Sequence, residues 1–187
     1  MSKVRFVQSA SRFDQFPPGK MPQVAIAGRS NSGKSSFINT LARSKVAKVS
    51  GTPGKTRLLN IFDVESKFWL VDMPGYGYAA RSHGERQDWE KMIEEYLVNS
   101  ENLRGLILLM DVRRKWSEEE SMLLDFCNAH ELGLVVGLTK ADKLSRSKWK
   151  SEVMKLEKQL GVPVFALSSL KKWGFSDITG HVLQNWI

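Results

Sequence analysis

Gly28-Arg29-Ser30-Asn31-Ser32-Gly33-Lys34-Ser35 is the stretch that decides how the rest of the chain is read. It fits the pattern G-x-x-x-x-G-K-[ST]. The apolar run Val24–Ala27 precedes it and reads as a buried strand, and Lys34–Leu41 follows it as a helix that opens directly on the glycine turn. Glycines at both ends of the loop let the backbone wrap, so that several N–H groups face inward onto phosphate oxygens, and the helix dipole adds positive potential. Lys34 is then placed to bridge β and γ phosphates, and the Ser35 hydroxyl to ligate Mg²⁺. A plain glycine turn with an incidental Lys-Ser would need neither the strand before it nor the helix after it.

Outward from this loop, short apolar runs alternate with helical patterns. Leu58–Val64 and Lys67–Val71 flank Glu65-Ser66 and read as an antiparallel hairpin. Arg86–Val98 places Trp89, Met92, Ile93, Tyr96 and Leu97 at helical spacing. Leu106–Met110, Leu134–Leu138 and Val164–Leu167 read as buried strands. Helices are expected from Ser117 to about His130, over Ser147–Leu160 and over Asp177–Trp186. Continuous apolar strands alternating with helices point to an α/β, three-layer fold: a mostly parallel six-stranded sheet, one antiparallel edge strand, and helices on both faces. One domain over residues 1–187 is expected, with 1–21 a partly extended N-terminal segment. In such folds ligands bind beyond the carboxyl ends of the strands, where the remaining motifs fall.

Asp72-Met73-Pro74-Gly75 ends the second strand of the hairpin. Asp72 there can reach a metal through water, and the Gly75 N–H can meet a γ-phosphate. Loss of that phosphate removes a hydrogen bond and lets the glycine- and alanine-containing loop after Tyr76 relax. A bare D-x-P-G turn is the bland alternative. The basic stretch Ser44–Arg57 should be mobile without ligand and should supply a second hydroxyl for Mg²⁺. Thr52 and Thr56 compete for that role, and Thr56 is preferred because the adjoining strand anchors it. Thr139-Lys140-Ala141-Asp142 ends another strand. Asp142 can accept from guanine N1–H and the N2 amino group, donors that adenine lacks, and such a site discriminates by about 10⁴-fold. The Lys140 stem can cover the base. Leu167-Ser168-Ser169-Leu170 follows the last strand, where backbone N–H groups could hold guanine O6.

Composition narrows the function classes. The 187 residues carry 28 Lys/Arg and 20 Asp/Glu. Residues 1–60 hold 11 Lys/Arg against Asp14 alone, so the first third carries +10 and the remainder −2, a bias that suits a polyanionic partner. The single Cys127 excludes an internal disulfide or a multi-cysteine zinc site. No run of 18 apolar residues and no secretory leader pattern is present, so a cytoplasmic protein without membrane insertion is expected. Cys127 reads as packing and Glu118–Glu120 as a solvated first turn with a capping Ser117. Trp116, beside Arg113-Arg114-Lys115, reads either as an RNA-stacking ring or as a half-buried helix-start aromatic. Lys171-Lys172-Trp173 reads as an RNA contact or a solvated loop.

The ordered words Gly-Arg-Ser-Asn-Ser-Gly-Lys-Ser-Ser, Pro-Gly-Lys-Thr, Asp-Met-Pro-Gly-Tyr-Gly-Tyr-Ala, Thr-Lys-Ala-Asp and Leu-Ser-Ser-Leu-Lys-Lys resemble the bacterial EngB family, also called YihA or YsxC, from about Phe6 onward. The resemblance implies a small GTPase that acts with the large ribosomal subunit or its precursor, through rRNA and ribosomal proteins, and that is needed for normal cell division and septation. It places Ser35 and Thr56 on Mg²⁺. It places nucleotide contacts on Gly28, Arg29, Ser30, Asn31, Ser32, Gly33, Lys34 and Ser35. Further contacts fall on Gly54, Lys55, Thr56, Arg57 and Leu58, and on Asp72, Met73, Pro74 and Gly75. The base contacts are Thr139, Lys140, Ala141, Asp142, Leu167, Ser168 and Ser169. Lys34, Thr56 and Gly75 take the catalytic contacts. One departure is visible: the family usually reads Asp-x-Arg-His-Pro where this chain has Asp111-Val112-Arg113-Arg114-Lys115-Trp116.

Many GTPases place a Gln after Asp-x-x-Gly to orient the attacking water, and Tyr76 stands there in this chain. Slow intrinsic hydrolysis, completed by a partner or an ion, is expected. Asn31 either helps hold K⁺, as in some related GTPases, or only stabilises the loop turn. A nucleotide-gated RNA- or ribosome-binding module with negligible hydrolysis is the alternative function. An ATP-dependent enzyme of small-molecule metabolism is a third, disfavoured by Asp142. A monomer is expected.

Overall fold

β2 (Gln23–Ala27) is buried along its whole length, with Val24, Ala25 and Ile26 fully so. A strand apolar on both faces must be covered on both, and everything else in the fold answers that requirement. The structure, a computed structural model, describes residues 3–47, 58–76, 91 and 93–187. Among these, β1 (Val4–Ala10), β3 (Leu59–Val64), β4 (Phe68–Asp72), β5 (Leu103–Asp111), β6 (Gly133–Thr139) and β7 (Val164–Ala166) join β2 in one sheet. The helices are α1 (Lys34–Ala42), α2 (93–99), α3 (Glu118–Ala129), α4 (Arg146–Leu160) and α5 (Phe175–Asn185).

The sheet order is β1-β3-β4-β2-β5-β6-β7. β3 runs antiparallel to both of its neighbours, and the other strand pairs are parallel. The α/β three-layer class is the expected one. The sheet has seven strands rather than six, and its edge strand β1 pairs antiparallel with its neighbour. The added strand is β1, which pairs with β3 from Val4↔Val64 to Ala10↔Leu59. Its alternation of buried and exposed positions is weak, because only Val4 and Ala10 are buried. That is why the pattern hid a strand in the N-terminal segment. Beyond it, Phe16 stacks on Tyr96 with ring centroids 5.3 Å apart.

One face of the sheet is covered by α1 and α5: Phe37, Ile38, Ile178 and Val182 pack with Ile26, Ile107, Leu109 and Val135. On the other, Ile93, Tyr96 and Leu97 of α2 and Cys127 of α3 pack with Ala25, Ala27, Leu106 and Leu108. α4 adds Leu156 against Met110, Val136 and Leu138 on that same face. Burying a large apolar side chain contributes about 1.5–3 kcal/mol, so each helix is held by its inner stripe. Gly105 and Gly133 are directly paired in β5 and β6. A Cβ on either would come within 2.8 and 2.3 Å of the Trp186 indole, so the two glycines form the flat floor on which that ring lies.

Two aromatic readings resolve toward packing. Trp116 is half-buried, packs against two core clusters and donates from Nε1 to Ser121 Oγ at 2.9 Å. Trp173 packs against Trp149 with ring centroids 5.3 Å apart and the planes tilted by 35°. Cys127 is buried, and desolvation pushes its thiol up to about 12, so it is inert packing as read from the sequence.

Candidate nucleotide site

The carboxyl ends of β2, β4, β5 and β6 bring the motifs to one rim. Gly28 leaves β2 with φ +156°, and a Cβ there would lie 2.3 Å from Leu109 O and 2.4 Å from Ser32 Oγ. No side chain fits, so the loop can turn under itself only with glycine. Lys34, at the start of α1, folds back over the loop. Its Nζ donates to Gly28 O at 2.9 Å and to Arg29 O at 3.4 Å. Desolvation lowers its pKa, and the Asp72 charge opposes that shift.

Asp72 closes β4 and is buried. Burial raises its carboxyl to about 6, while Lys34 and a hydrogen bond from Asn60 pull it down. Its Oδ1 has no hydrogen-bond partner among the described residues. A buried carboxylate oxygen left open beside Lys34, the residue that precedes Ser35, suits a cation or its bound water. Gly75 comes so close to the loop that a Cβ would stand 2.9 Å from Ser30 N and 3.0 Å from Lys34 Nζ. The Ser30 N–H donates to Tyr76 O at 3.0 Å, tying the phosphate loop to the Asp-x-Pro-Gly word. Asn31 has φ +64°, a left-handed conformation that Asn tolerates.

The Tyr76 side chain leaves the site. It is buried, and its hydroxyl donates to Glu120 Oε1 at 2.9 Å. Burial and the Glu120 charge raise the phenol well above its ordinary range. Glu120 is therefore not part of a solvated first turn: it is 2% exposed. Its side chain accepts from the Ser117 N–H at 3.0 Å while the Ser117 side chain accepts from the Glu120 N–H, a capping box, and Oε2 also accepts from the Ser117 hydroxyl. Arg29 also turns toward α3, donating to Glu119 Oε1 at 2.7 Å and lying 3.7 Å from Glu120. The acids that cap α3 thus grip the phosphate loop and the residue after Gly75 together. The spacing Ser117-x-x-Glu120 was the signal that could have identified this buried carboxylate.

The base box is built on β6 and the turn after β7. Thr139 Oγ1 donates to Ser32 O at 2.6 Å, fastening the box to the phosphate loop. Lys140 Nζ donates to Asn31 O at 2.9 Å and pairs with Asp111 Oδ2 at 3.1 Å. Arg113 clasps both oxygens of Asp111 at 2.9 and 2.6 Å, and this hold, with Lys140, keeps the Asp111 carboxyl well below the usual range. Asp111 was absent from the sequence-based site, yet it fixes the lysine of the box. Ser168, fully buried, donates to Asp142 Oδ1 at 2.5 Å and so sets the carboxylate's orientation. Of the backbone N–H groups in the stretch Leu167–Leu170, two are already used. Leu167 N–H donates to Leu138 O at 2.8 Å and Ser168 N–H to Trp173 O at 3.1 Å. That leaves the N–H groups of Ser169 and Leu170. Gly54, Lys55, Thr56 and Arg57 lie outside the described residues, as do Thr52 and the loop expected after Tyr76. Leu58 is exposed.

The family model described as 50S ribosome-binding GTPase matches residues 23–140. A curated protein of Bdellovibrio bacteriovorus named probable GTP-binding protein EngB is 52% identical over 185 residues, which cover 98% of this chain and 92% of that protein. The chain belongs to the EngB family of GTP-binding proteins. A second EngB, from Streptococcus pyogenes, is 42% identical over 94% of this chain and 91% of its own length. Among solved structures, a probable GTP-binding protein engB superposes with TM-score 0.69 at 19% identity, covering 87% of this chain and 97% of that one. Era in complex with MgGDPNP and nucleotides 1506-1542 of 16S ribosomal RNA superposes with TM-score 0.71 at 20% identity, covering 89% of this chain and 57% of that one. These two likenesses speak to the fold. EngB membership carries a GTPase domain, in agreement with the phosphate loop and the base box. Among the described residues, no helix is long and apolar enough to cross a membrane.

Proposed function

We propose that the chain binds GTP and GDP through the residues assigned above, hydrolyses GTP slowly by itself, and acts as a switch on the large ribosomal subunit or its precursor. The observation that carries the nucleotide reading is Asp142, oriented by Ser168 and joined to the phosphate loop through Thr139 and Lys140. The family description, 50S ribosome-binding GTPase, and the basic first third of the chain support the ribosomal partner. Ser35, with Asp72 through water and Thr56 as second hydroxyl, would hold Mg²⁺, which neutralises phosphate charge as the terminal phosphoryl group departs. Lys34 and the Gly75 N–H contact the terminal phosphate. A role in division and septation, a cytoplasmic location, a monomeric state and a single domain over 1–187 with 1–21 as a leading segment complete the reading.

Slow hydrolysis follows from Tyr76. Its hydroxyl is engaged with Glu120, so it does not orient a water at the phosphate. A partner group, or K⁺ held with the help of Asn31, supplies the missing positive charge. Single-turnover hydrolysis in KCl and NaCl, with and without large-subunit precursors, tests this. Equal rates in both salts remove K⁺ from the scheme. Negligible turnover even with precursors leaves a nucleotide-gated binding module, the reading that the parked tyrosine also favours. Asp142→Asn should shift preference toward xanthine nucleotides, and undiminished GTP affinity in that variant refutes the base assignment.

A further inference from the structure

The net −2 of residues 61–187 conceals a sharp segregation. Residues 143–172 hold eight Lys/Arg and only Glu152 and Glu157. The structure places six of these cations, Lys143, Arg146, Lys148, Lys150, Lys155 and Lys158, on exposed positions of α4 and the turn before it. The inner stripe of α4, from Trp149 to Leu160, packs against the sheet. No ion pair involves any of the six among the described residues. The acids do not compensate them: Glu152 is half-buried, and Glu157 accepts from the Val164 N–H of the edge strand at 3.2 Å. Lys148, Ser151, Lys155 and Lys158 recur at helical spacing along one stripe, which rises about 15 Å. That is long enough for about four phosphates of a stacked single strand at about 3.4 Å each. The exposed Lys171 and Lys172 adjoin this helix through the Trp149–Trp173 contact. The Lys171 N–H donates to Ser168 Oγ at 3.0 Å, so the basic turn is hydrogen-bonded to the serine that orients Asp142.

We propose that the exposed face of α4, continued by the Lys171-Lys172 turn, is a contact surface for the phosphate backbone of RNA. This rests on the ribosomal reading above and names a part of the molecule that does the touching. The chemistry favours RNA over other anions. A membrane-lying helix buries a broad apolar face in lipid, but the apolar stripe of α4 is already used against the sheet, and Met154 is its one large exposed apolar side chain. A protein interface needs a desolvated aromatic or aliphatic centre, and the half-buried tryptophans here pack on each other. Unpaired flexible cations in a row are sufficient for phosphates and read no sequence.

The test compares Lys148→Glu/Lys155→Glu/Lys158→Glu with a control of equal charge change, Lys67→Glu/Lys91→Glu/Arg104→Glu, at exposed positions outside both the basic first third and α4. The probes are labelled oligouridine, polyglutamate and phosphatidylserine vesicles. The α4 variant should lose roughly tenfold or more in oligouridine affinity, and its log–log salt slope should flatten by about 2, near 0.7 per lost phosphate contact. GTP affinity should not change in either variant. Equal losses in the control, wild-type affinity in the α4 variant, or wild-type binding to vesicles or polyglutamate as tight as to oligouridine would each overturn the proposal. Binding of wild type to large-subunit particles is measured separately. Its absence would sink the ribosomal reading while the oligouridine comparison still decides the α4 face.

Discussion

Removing one oxygen atom, by Tyr76→Phe, separates the tyrosine's structural role from any role at the phosphate. The hydroxyl sits 2.9 Å from Glu120 Oε1 in a buried setting, with the ring 5% and the carboxylate 2% exposed. A buried hydrogen bond to a charged group contributes about 1.5–3 kcal/mol. Glu120 keeps its bonds from Ser117, so the loss should lie near the middle, about 2 kcal/mol. With a urea slope of about 2 kcal/mol per M, that is a fall of about 1 M in the unfolding midpoint. Glu120→Gln should destabilise as well, and the double variant should fall short of the sum by about 1 kcal/mol or more, because both changes break the same contact. Single-turnover GTP hydrolysis by Tyr76→Phe should stay within about threefold of wild type, since the hydroxyl faces α3. An unchanged midpoint, or a hundredfold loss of hydrolysis with stability intact, would refute this account and return the hydroxyl to the phosphate.

Other consequences can be measured as directly. Gly133→Ala drives a methyl into the Trp186 indole, which a Cβ would approach to 2.3 Å. It should cost about 1–3 kcal/mol in chemical denaturation, and Trp186→Leu in the same background should recover part of that. Ser168→Ala frees the Asp142 carboxylate, and calorimetric titration should show GDP affinity reduced about tenfold; equal affinity would mean that Asp142 needs no positioning. Asp111 and Glu119 are held below their ordinary values of 3.8 and 4.5, Glu119 at about 2 mainly by its Ser117 hydrogen bond. A depressed folded pKa means stability that is present above the unfolded value and lost as pH falls through the folded one. Stability should therefore decline below about pH 4.5, and Asp111→Asn should flatten that acid limb in thermal melts.

How much of this was legible depended on whether neighbouring residues carried the signal. The phosphate loop, the Asp72–Gly75 word and Thr139–Asp142 are contiguous, and each is flanked by apolar strands whose continuous burial is plain in the sequence. β1 was not legible, because Arg5, Phe6 and Val7 all remain exposed on the outermost strand and leave no period of two. Glu120 was misread as solvated because three acids in a row at a helix start normally serve the dipole. Its burial comes from Tyr76, 44 residues earlier. Asp111 escaped for a similar reason: its importance lies in Lys140, which only the pairing of β5 with β6 brings within 3.1 Å. Ser168 was read for its backbone N–H, whereas the structure shows its hydroxyl holding Asp142.

The outermost place of β1 bears on how the chain is made. Val4–Ala10 is synthesised before its strand partner among the described residues, Leu59–Val64, which follows roughly 50 residues later. At about 5–20 residues per second that is a wait of some 3–10 s. During it the strand has an open backbone on both sides and carries Phe6 and Val7 uncovered. A nascent chain of which β3 has not yet left the ribosome would therefore offer a ready handhold to chaperones, whereas one whose first 72 residues have all emerged could already have zipped β1, β3 and β4 together. Ribosome-bound intermediates of those two lengths should differ sharply in protease sensitivity near Phe6.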